Sequence, residues 1–450
     1  MRRRLSIVFV CLLLPVAAHA AWDYFESRRL FAAVDELRQR GEPVSRNALG
    51  RWQRPTDPEE IKASRYYSAA GELAYRDWTI ANRALGGVKQ LPLSRIDEVI
   101  REVAEKRMLE AGAADVCRTL VDEHADALDL MDTAASLRFS RFTPHEFEDY
   151  PRTYSLENLA EAGEARTVLL ASVRQGDAAA RSLWSTLKLR RAHVRTVPWL
   201  TEHVIDLQFL LEHSRPSTQL LEQVQRAFAE RERPNVTVEE LRETRAIGIE
   251  SLYSEWYGRR TDPLTPAAHA RWVWQPLVPL RPWIARQTTS VLKASEEAVA
   301  AAEQPWPENI AALRAVANKQ PEPKTGRGRL SIVDYGRYII RGHADEGIVR
   351  DATRLVHVRS AIAVLAIEQF RRARGAPPQT LQQLVPGYMA QVPQDPFTGA
   401  PLRFSADANR YVVYSPGHDG KDDGGAVGPL PTHVWKITTA DIGLEIRRQD

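Results

Sequence analysis

Tyr411-Val-Val-Tyr-Ser-Pro-Gly-His-Asp-Gly-Lys-Asp-Asp-Gly-Gly425 is the stretch whose reading decides how the last part of this chain folds. A short apolar strand runs into a turn punctuated by Gly417, Gly420, Gly424 and Gly425, residues that tolerate positive φ at little cost. The turn carries Asp419, Asp422 and Asp423. Carboxylates crowded in this way repel one another unless they face water or share a hard cation. Asp419, Asp422 and Asp423 are therefore the candidate metal ligands, and a solvated turn stiffened by aspartate–backbone hydrogen bonds is the alternative. The spacing is not that of an EF-hand loop, which needs acids at alternate positions.

Working outward, the pattern predicts a long amphipathic helix from Asp345 to Arg374. Ile348, Ala352, Leu355, Ile362, Leu365 and Phe370 fall on one face, with Arg350, Arg354, Glu368 and Arg371 elsewhere. Gly375 ends it, and Pro377-Pro378 prevents its return. Thr380–Val385 reads as a short turn of helix, and Pro401–Ser405, Arg410–Tyr414 and His433–Thr438 read as strands. One long helix packed on a small antiparallel sheet is the expected module.

Phe370-Arg-Arg-Ala-Arg-Gly-Ala-Pro-Pro378, the Gln382–Pro393 stretch, Asp395-Pro-Phe-Thr-Gly-Ala-Pro401, the Ser415–Gly425 loop and Ala440-Asp-Ile-Gly443 occur in a characteristic order. In that order they resemble the globular head of the major pseudopilin of type II secretion systems, over roughly the last quarter of the chain. The resemblance implies a Ca²⁺-binding loop, with Asp419 matching the loop aspartate and a structural ion rather than a catalytic one. Two departures stand out. Ala426-Val-Gly-Pro429 replaces the acids that follow the glycine pair in the family, leaving Asp441 as the acid placed to return from the tail. The chain also lacks the family's N-terminal prepilin site and pilus-forming apolar helix, so a pilus subunit is not expected. The whole layout is also similar to a broad group of exported bacterial proteins with helices first and this module last.

Upstream, from Trp22 to about Asn318, the periodicity is helical. Trp22–Arg40 is closed by Gly41-Glu-Pro43, and Glu59–Arg83 by Gly86-Gly87. Pro92 and Ser94 open a further run with a possible break at Gly112, and 139–154 reads as an aromatic-rich loop. Leu156–Arg174 with Ala178–Val194, and Leu200–His213 with Ser217–Glu230, read as antiparallel pairs, with small residues permitting close contact. No fixed repeat aligns them, which predicts an irregular helix-pair domain, solenoid- or bundle-like. Trp272-Val-Trp-Gln-Pro-Leu-Val-Pro-Leu-Arg-Pro-Trp283 places proline at every third position. It is either an exposed aromatic patch or a buried connection, and the burial habit of large aromatics favours the second.

The first residues pair Arg2, Arg3 and Arg4 with an apolar run and Ala18-His19-Ala20, which predicts a signal peptide cut after Ala20. The run is too short for an ordinary transmembrane helix. Export to a bacterial periplasm or beyond is expected, with no transmembrane span in the mature chain. Loss of three arginines cancels the formal charge of +3, and no basic run interleaved with aromatics points to nucleic acid. Of two cysteines only Cys117 would remain, so the fold is expected to rest on its core. Expected domains are thus 1–20 signal peptide, 21–317 helical, 318–330 linker and 331–450 a small α+β module, mainly α overall.

No motif for a nucleophile elbow, phosphate loop or paired-cysteine metal site occurs. His145-Glu146 begins like a zincin helix, but Asp149 stands where a second histidine is needed. Glu123, His124 and Asp126 are neighbours in sequence but do not share a helical face. Glu157, Glu161 and Glu164 suit the first turn of a helix starting near Leu156. The residues therefore favour a non-enzymatic protein that binds a protein partner in the cell envelope, with a secretion or pilus-type assembly suggested by fold analogy. The alternative is a periplasmic hydrolase with its site between the helical domain and the C-terminal module.

Overall fold

A computed structural model describes residues 2–45, 48, 57–84, 93–138, 150–192, 200–232, 236–257, 280–321, 332–407, 409–427 and 440–448. Among these the chain is mainly helical, with a three-stranded antiparallel sheet near the C-terminus. None of the described helices is long and apolar enough to cross a membrane.

The chain builds two compact units, and each is discontinuous. Unit 1 comprises Met1–Trp52 and Asn235–Ile348; unit 2 comprises Gln53–Pro234 and Val349–Asp450. This differs from the expected division at 318–330. The physical reason is burial of the long C-terminal helix, which shares one continuous hydrophobic core with helices of the 53–234 segment. Of the expected linker, residues up to 321 are described and the rest lies outside the described residues.

In unit 1, α1 (Arg2–Gln39) runs without a break through the expected cleavage point. Leu30, Val34 and Leu37 recur on one face of it and pack with Ile249, Ile284, Ala285 and Leu292. Gly41 closes the helix at φ +76, where its N–H reaches Arg38 O at 3.1 Å and that of Glu42 reaches Leu37 O at 3.0 Å. A side chain there would resist this left-handed turn. Its other described α-helices are α10 (Val236–Tyr257), α11 (Arg281–Ala302), α12 (Glu308–Lys319) and α13 (Ile332–Gly342). The 272–283 segment is described only from Leu280 onward. Leu280 and Trp283 are 49% and 46% exposed and Pro282 is buried; the rest of the expected buried connection lies outside the described residues. Ile284, Ala285 and Thr288 take the buried face of α11, which leaves Trp283 on its outer face.

Unit 2 contains α2 (Pro58–Ala84), α3 (Leu93–Lys106), α4 (Ala111–Glu123), α5 (Ala125–Ala135), α6 (Tyr150–Ser172), α7 (Gly176–Ala192), α8 (Leu200–His213), α9 (Thr218–Arg231) and α14 (Ile348–Arg374). Of the two expected pairs, α6 with α7 forms as the sequence predicts, whereas α8 and α9 have nearly the expected bounds but α9 packs on α7 rather than on α8. Most of the expected aromatic-rich loop lies outside the described residues, but Tyr150 to Tyr154 already belong to α6. Ala160, Ala162, Ala165 and Ala171 are fully buried. Gly163 lies so close to α7 that an added Cβ would stand 2.2 Å from Thr186 Oγ1.

α14 carries the expected face, yet it is buried nearly all round, including Val356, Val358, Ala363, Val364 and Ile367. Several of its charged residues are accommodated by pairing, while His357 and Ser360 are buried with Nδ1 and Oγ lacking a hydrogen-bond partner. Arg354 binds Asp351 and the Arg231 carbonyl, and Glu368 accepts from Tyr411 Oη at 2.5 Å, from Arg371, and from Arg448. The sheet follows, with β1 (Arg403–Ala406), β2 (Arg410–Ser415) and β3 (Ile442–Arg447) in the order β1-β2-β3. The expected strand at His433–Thr438 lies outside the described residues. The strand that pairs with β2 is Ile442–Arg447, with Val413 opposite Leu444. Ile442, Leu444 and Ile446 alternate toward the core with Gly443 and Glu445 between them, the period of two of a strand. Along the far side of β3, Gln208 of α8 donates to Glu445 O at 2.6 Å and Glu212 accepts the Arg447 N–H at 2.7 Å. This helix thereby covers groups that an edge strand otherwise leaves unpaired.

Candidate functional site

The aspartate loop folds back over β2. An added Cβ at Gly425 would stand 2.9 Å from Val412 Cγ1, so the loop lies on the face of β2 opposite Tyr411 and Val413. All four glycines in it have positive φ, as their placement predicts. The three aspartates turn to separate partners. Asp419 Oδ1 accepts the Lys421 N–H at 3.0 Å. Asp422 pairs with Arg403 and accepts from Tyr414 Oη at 3.2 Å and from the Gly424 N–H at 2.9 Å. Asp423 pairs with Lys421. What draws the loop shut is buried Asp441, which accepts N–H groups of Asp423 and Gly425 at 3.2 and 2.7 Å. Hydrogen bonds and ion pairs of this kind are those of an aspartate-stiffened turn.

A different set of ionisable side chains converges, deep in unit 2. On α8, His203 and Asp206 stand three residues apart and so share a face. Val204, Ile205, Leu207, Phe209, Leu210 and Leu211 around them are all buried. Across from them α6 presents Glu164. The helix begins at Tyr150, so Glu164 lies well past the first turn expected for it and faces the core instead. The close approach at Gly163 lets α7 bring Arg190, one turn beyond Thr186, to Glu164, with Nη2 to Oε1 at 3.1 Å.

His203 Nδ1 is 3.5 Å from Glu164 Oε1 and 3.7 Å from Asp206 Oδ2. One ligand atom from each of the three lies within 4.8 Å of the others. Glu164 is 1% exposed and His203 and Asp206 are 0%. Both ring nitrogens of His203 and both carboxylate oxygens of Asp206 lack a hydrogen-bond partner, an uncommon condition for buried polar atoms. Burial, with Arg231 and Arg190 nearby, holds the imidazole well below its usual range, so it is neutral at neutral pH. Burial and the Glu164 charge push Asp206 well above the usual carboxylate range, against the pull of Arg190. The arrangement is a sealed donor set: an imidazole, two carboxylates and one compensating guanidinium. On α4, Cys117 is fully buried, and its thiol is pushed up to about 12 by burial and by Asp206, which makes it an inert neighbour.

Sequence reasoning singled out Glu164 for another reason and passed over His203 and Asp206. The available signal was a His-x-x-Asp pair inside an otherwise apolar helix. Among the catalytic candidates, His145, Glu146 and Asp149 lie outside the described residues. His124 is buried, with Nδ1 3.0 Å from Leu120 O, while Glu123 and Asp126 are exposed, so these three do not converge. The chain matches no family model, no curated protein and no solved structure.

Proposed function

We propose that this chain is an exported, non-enzymatic binding or scaffolding protein of a bacterial cell envelope, with a protein as its partner. The observation that carries the reading is a set of large apolar side chains in unit 1 left facing solvent. Leu280 and Trp283 on or beside α11 and Tyr338 on α13 are 49%, 46% and 51% exposed. Arg337 Nη2 reaches Gln287 Oε1 at 2.7 Å, which brings the neighbourhoods of Trp283 and Tyr338 together on adjoining helices. Aromatic side chains exposed in this way are the usual anchors of protein interfaces. The hydrolase alternative requires convergent acids and histidine open to substrate, whereas the converging set in unit 2 is sealed from solvent.

The test is photocrosslinking in envelope preparations, with a photoreactive amino acid at position 283 or 338 and, as control, at half-buried Glu102 of α3. A discrete crosslinked protein from 283 and 338 but not from 102 is expected. Equal labelling from all three positions, or no adduct at 283 and 338, overturns the reading.

A further inference from the structure

We propose that Glu164, His203 and Asp206 form a structural site for one divalent transition-metal ion of the zinc type. It rests on side chains of unit 2 and does not depend on the partner-binding reading. Zinc bonds of about 2.0–2.2 Å in a tetrahedron place ligand atoms roughly 3.3–3.6 Å apart. The measured separations from His203 Nδ1, 3.5 and 3.7 Å, lie at that spacing or need only a small inward shift. An imidazole donor argues against Mg²⁺ and Ca²⁺, which take oxygen ligands, and suits zinc and its first-row neighbours.

The second observation is independent of spacing. His203 and Asp206 are wholly buried, and four polar atoms between them have no hydrogen-bond partner. A buried polar atom left unsatisfied is destabilising, and a cation between the two side chains removes that condition for the atoms facing it. Arg190, bonded to Glu164 Oε1, is the outer-shell group that fixes the Glu164 carboxylate, a role outer partners commonly fill at metal centres. Three protein donors leave a fourth position for the second Asp206 oxygen or a water. Helix-bundle cores hold metals in this manner, with ligands from facing helices and a pair at i, i+3. The ion would clip α6 to α8.

The test uses the full chain, unfolded in chelator, refolded with Zn²⁺ and passed through a desalting column before metal analysis. Wild type is expected to retain one zinc per chain. At a free zinc concentration a hundred times Kd, its apparent unfolding constant falls about a hundredfold. His203→Gln and Asp206→Asn are each expected to weaken retention at least tenfold, while Asp419→Ala retains the ion. Glu164→Gln, which can still bond Arg190, is the milder variant to use if either of these does not refold, and it too is expected to weaken retention. Wild type that refolds without zinc uptake overturns the proposal. So does stoichiometric zinc in any folded variant of the three.

Discussion

Glu368 offers the sharpest test of how the sheet is fastened to its helix. It is 0% exposed, and its carboxylate takes the Tyr411 hydroxyl at 2.5 Å together with Arg371 and Arg448. Burial alone would raise its pKa, but Arg448, the Tyr411 bond and Arg371 outweigh burial and hold the group below the usual range. Glu368→Ala therefore strands a buried hydroxyl and leaves three arginines, Arg371, Arg372 and Arg448, without their anion. Breaking a buried pair from one side costs about 3–5 kcal/mol. Unit 2 spans about 280 residues, for which unfolding entropy is roughly 0.6 kcal/mol/K, so the expected drop in Tm is about 5–8 °C. Glu368→Gln keeps an acceptor for Tyr411 and should lose less. Thermal melting of both, with Tyr411→Phe completing a double-mutant cycle, measures the coupling. The sign with pH also follows: the folded pKa is depressed, so this stability is present above the ordinary carboxylate pKa and lost as pH falls through the folded value. A coupling below about 0.5 kcal/mol, the scatter of independent sites, would refute the argument.

Three further outcomes are expected. Gly163→Ala puts a methyl group 2.2 Å from Thr186 Oγ1 and should cost about 1–3 kcal/mol by overpacking; urea unfolding should show part of this regained in Thr186→Ala, and no recovery would count against the close contact. Glu212 is pushed up to about 7 by burial, against the pull of Arg107 and the Arg447 N–H. A raised folded pKa contributes stability present below about 4.5 and lost as pH rises through 7, so wild type should lose ground to Glu212→Gln between pH 5 and 8, and a flat difference in urea midpoints would contradict it. In the aspartate loop, Asp441→Ala should cost about 1–3 kcal/mol through two stranded N–H groups, whereas exposed Asp419→Ala stays within about 0.5 kcal/mol; melting of wild type and Asp419→Ala should respond alike to calcium and chelator.

Helix placement was largely legible because punctuation is local. Gly41, Gly375 and the Pro216–Ser217 turn mark ends by backbone geometry alone, and the observed bounds of α1, α14, α8 and α9 follow them within a few residues. The third strand was not, since its identity depends on which tail segment pairs with β2. The amphipathic reading of α14 failed for a related reason. Arg354 and Glu368 look solvent-facing until their partners arrive from residues 123 positions before and 80 after. The converging acids and histidine show the same limit: Glu164 and Asp206 belong to different helices, and their meeting depends on the packing of α6 against α8. Only the His203–Asp206 spacing was local enough to read.

The interleaving of the two units has a consequence for the order in which this protein can be completed. Synthesis delivers residues 53–234 long before α14 and the sheet, and residues 1–52 before the helices they pack on. When 330 residues have been made, the earlier helices of unit 2 still face solvent where Val356, Val364 and Ile367 will seal them. Each core closes only when a distant stretch arrives, unit 2 last of all. A chain cut before α14 is then a nucleus missing its stopper rather than a finished body without its tail.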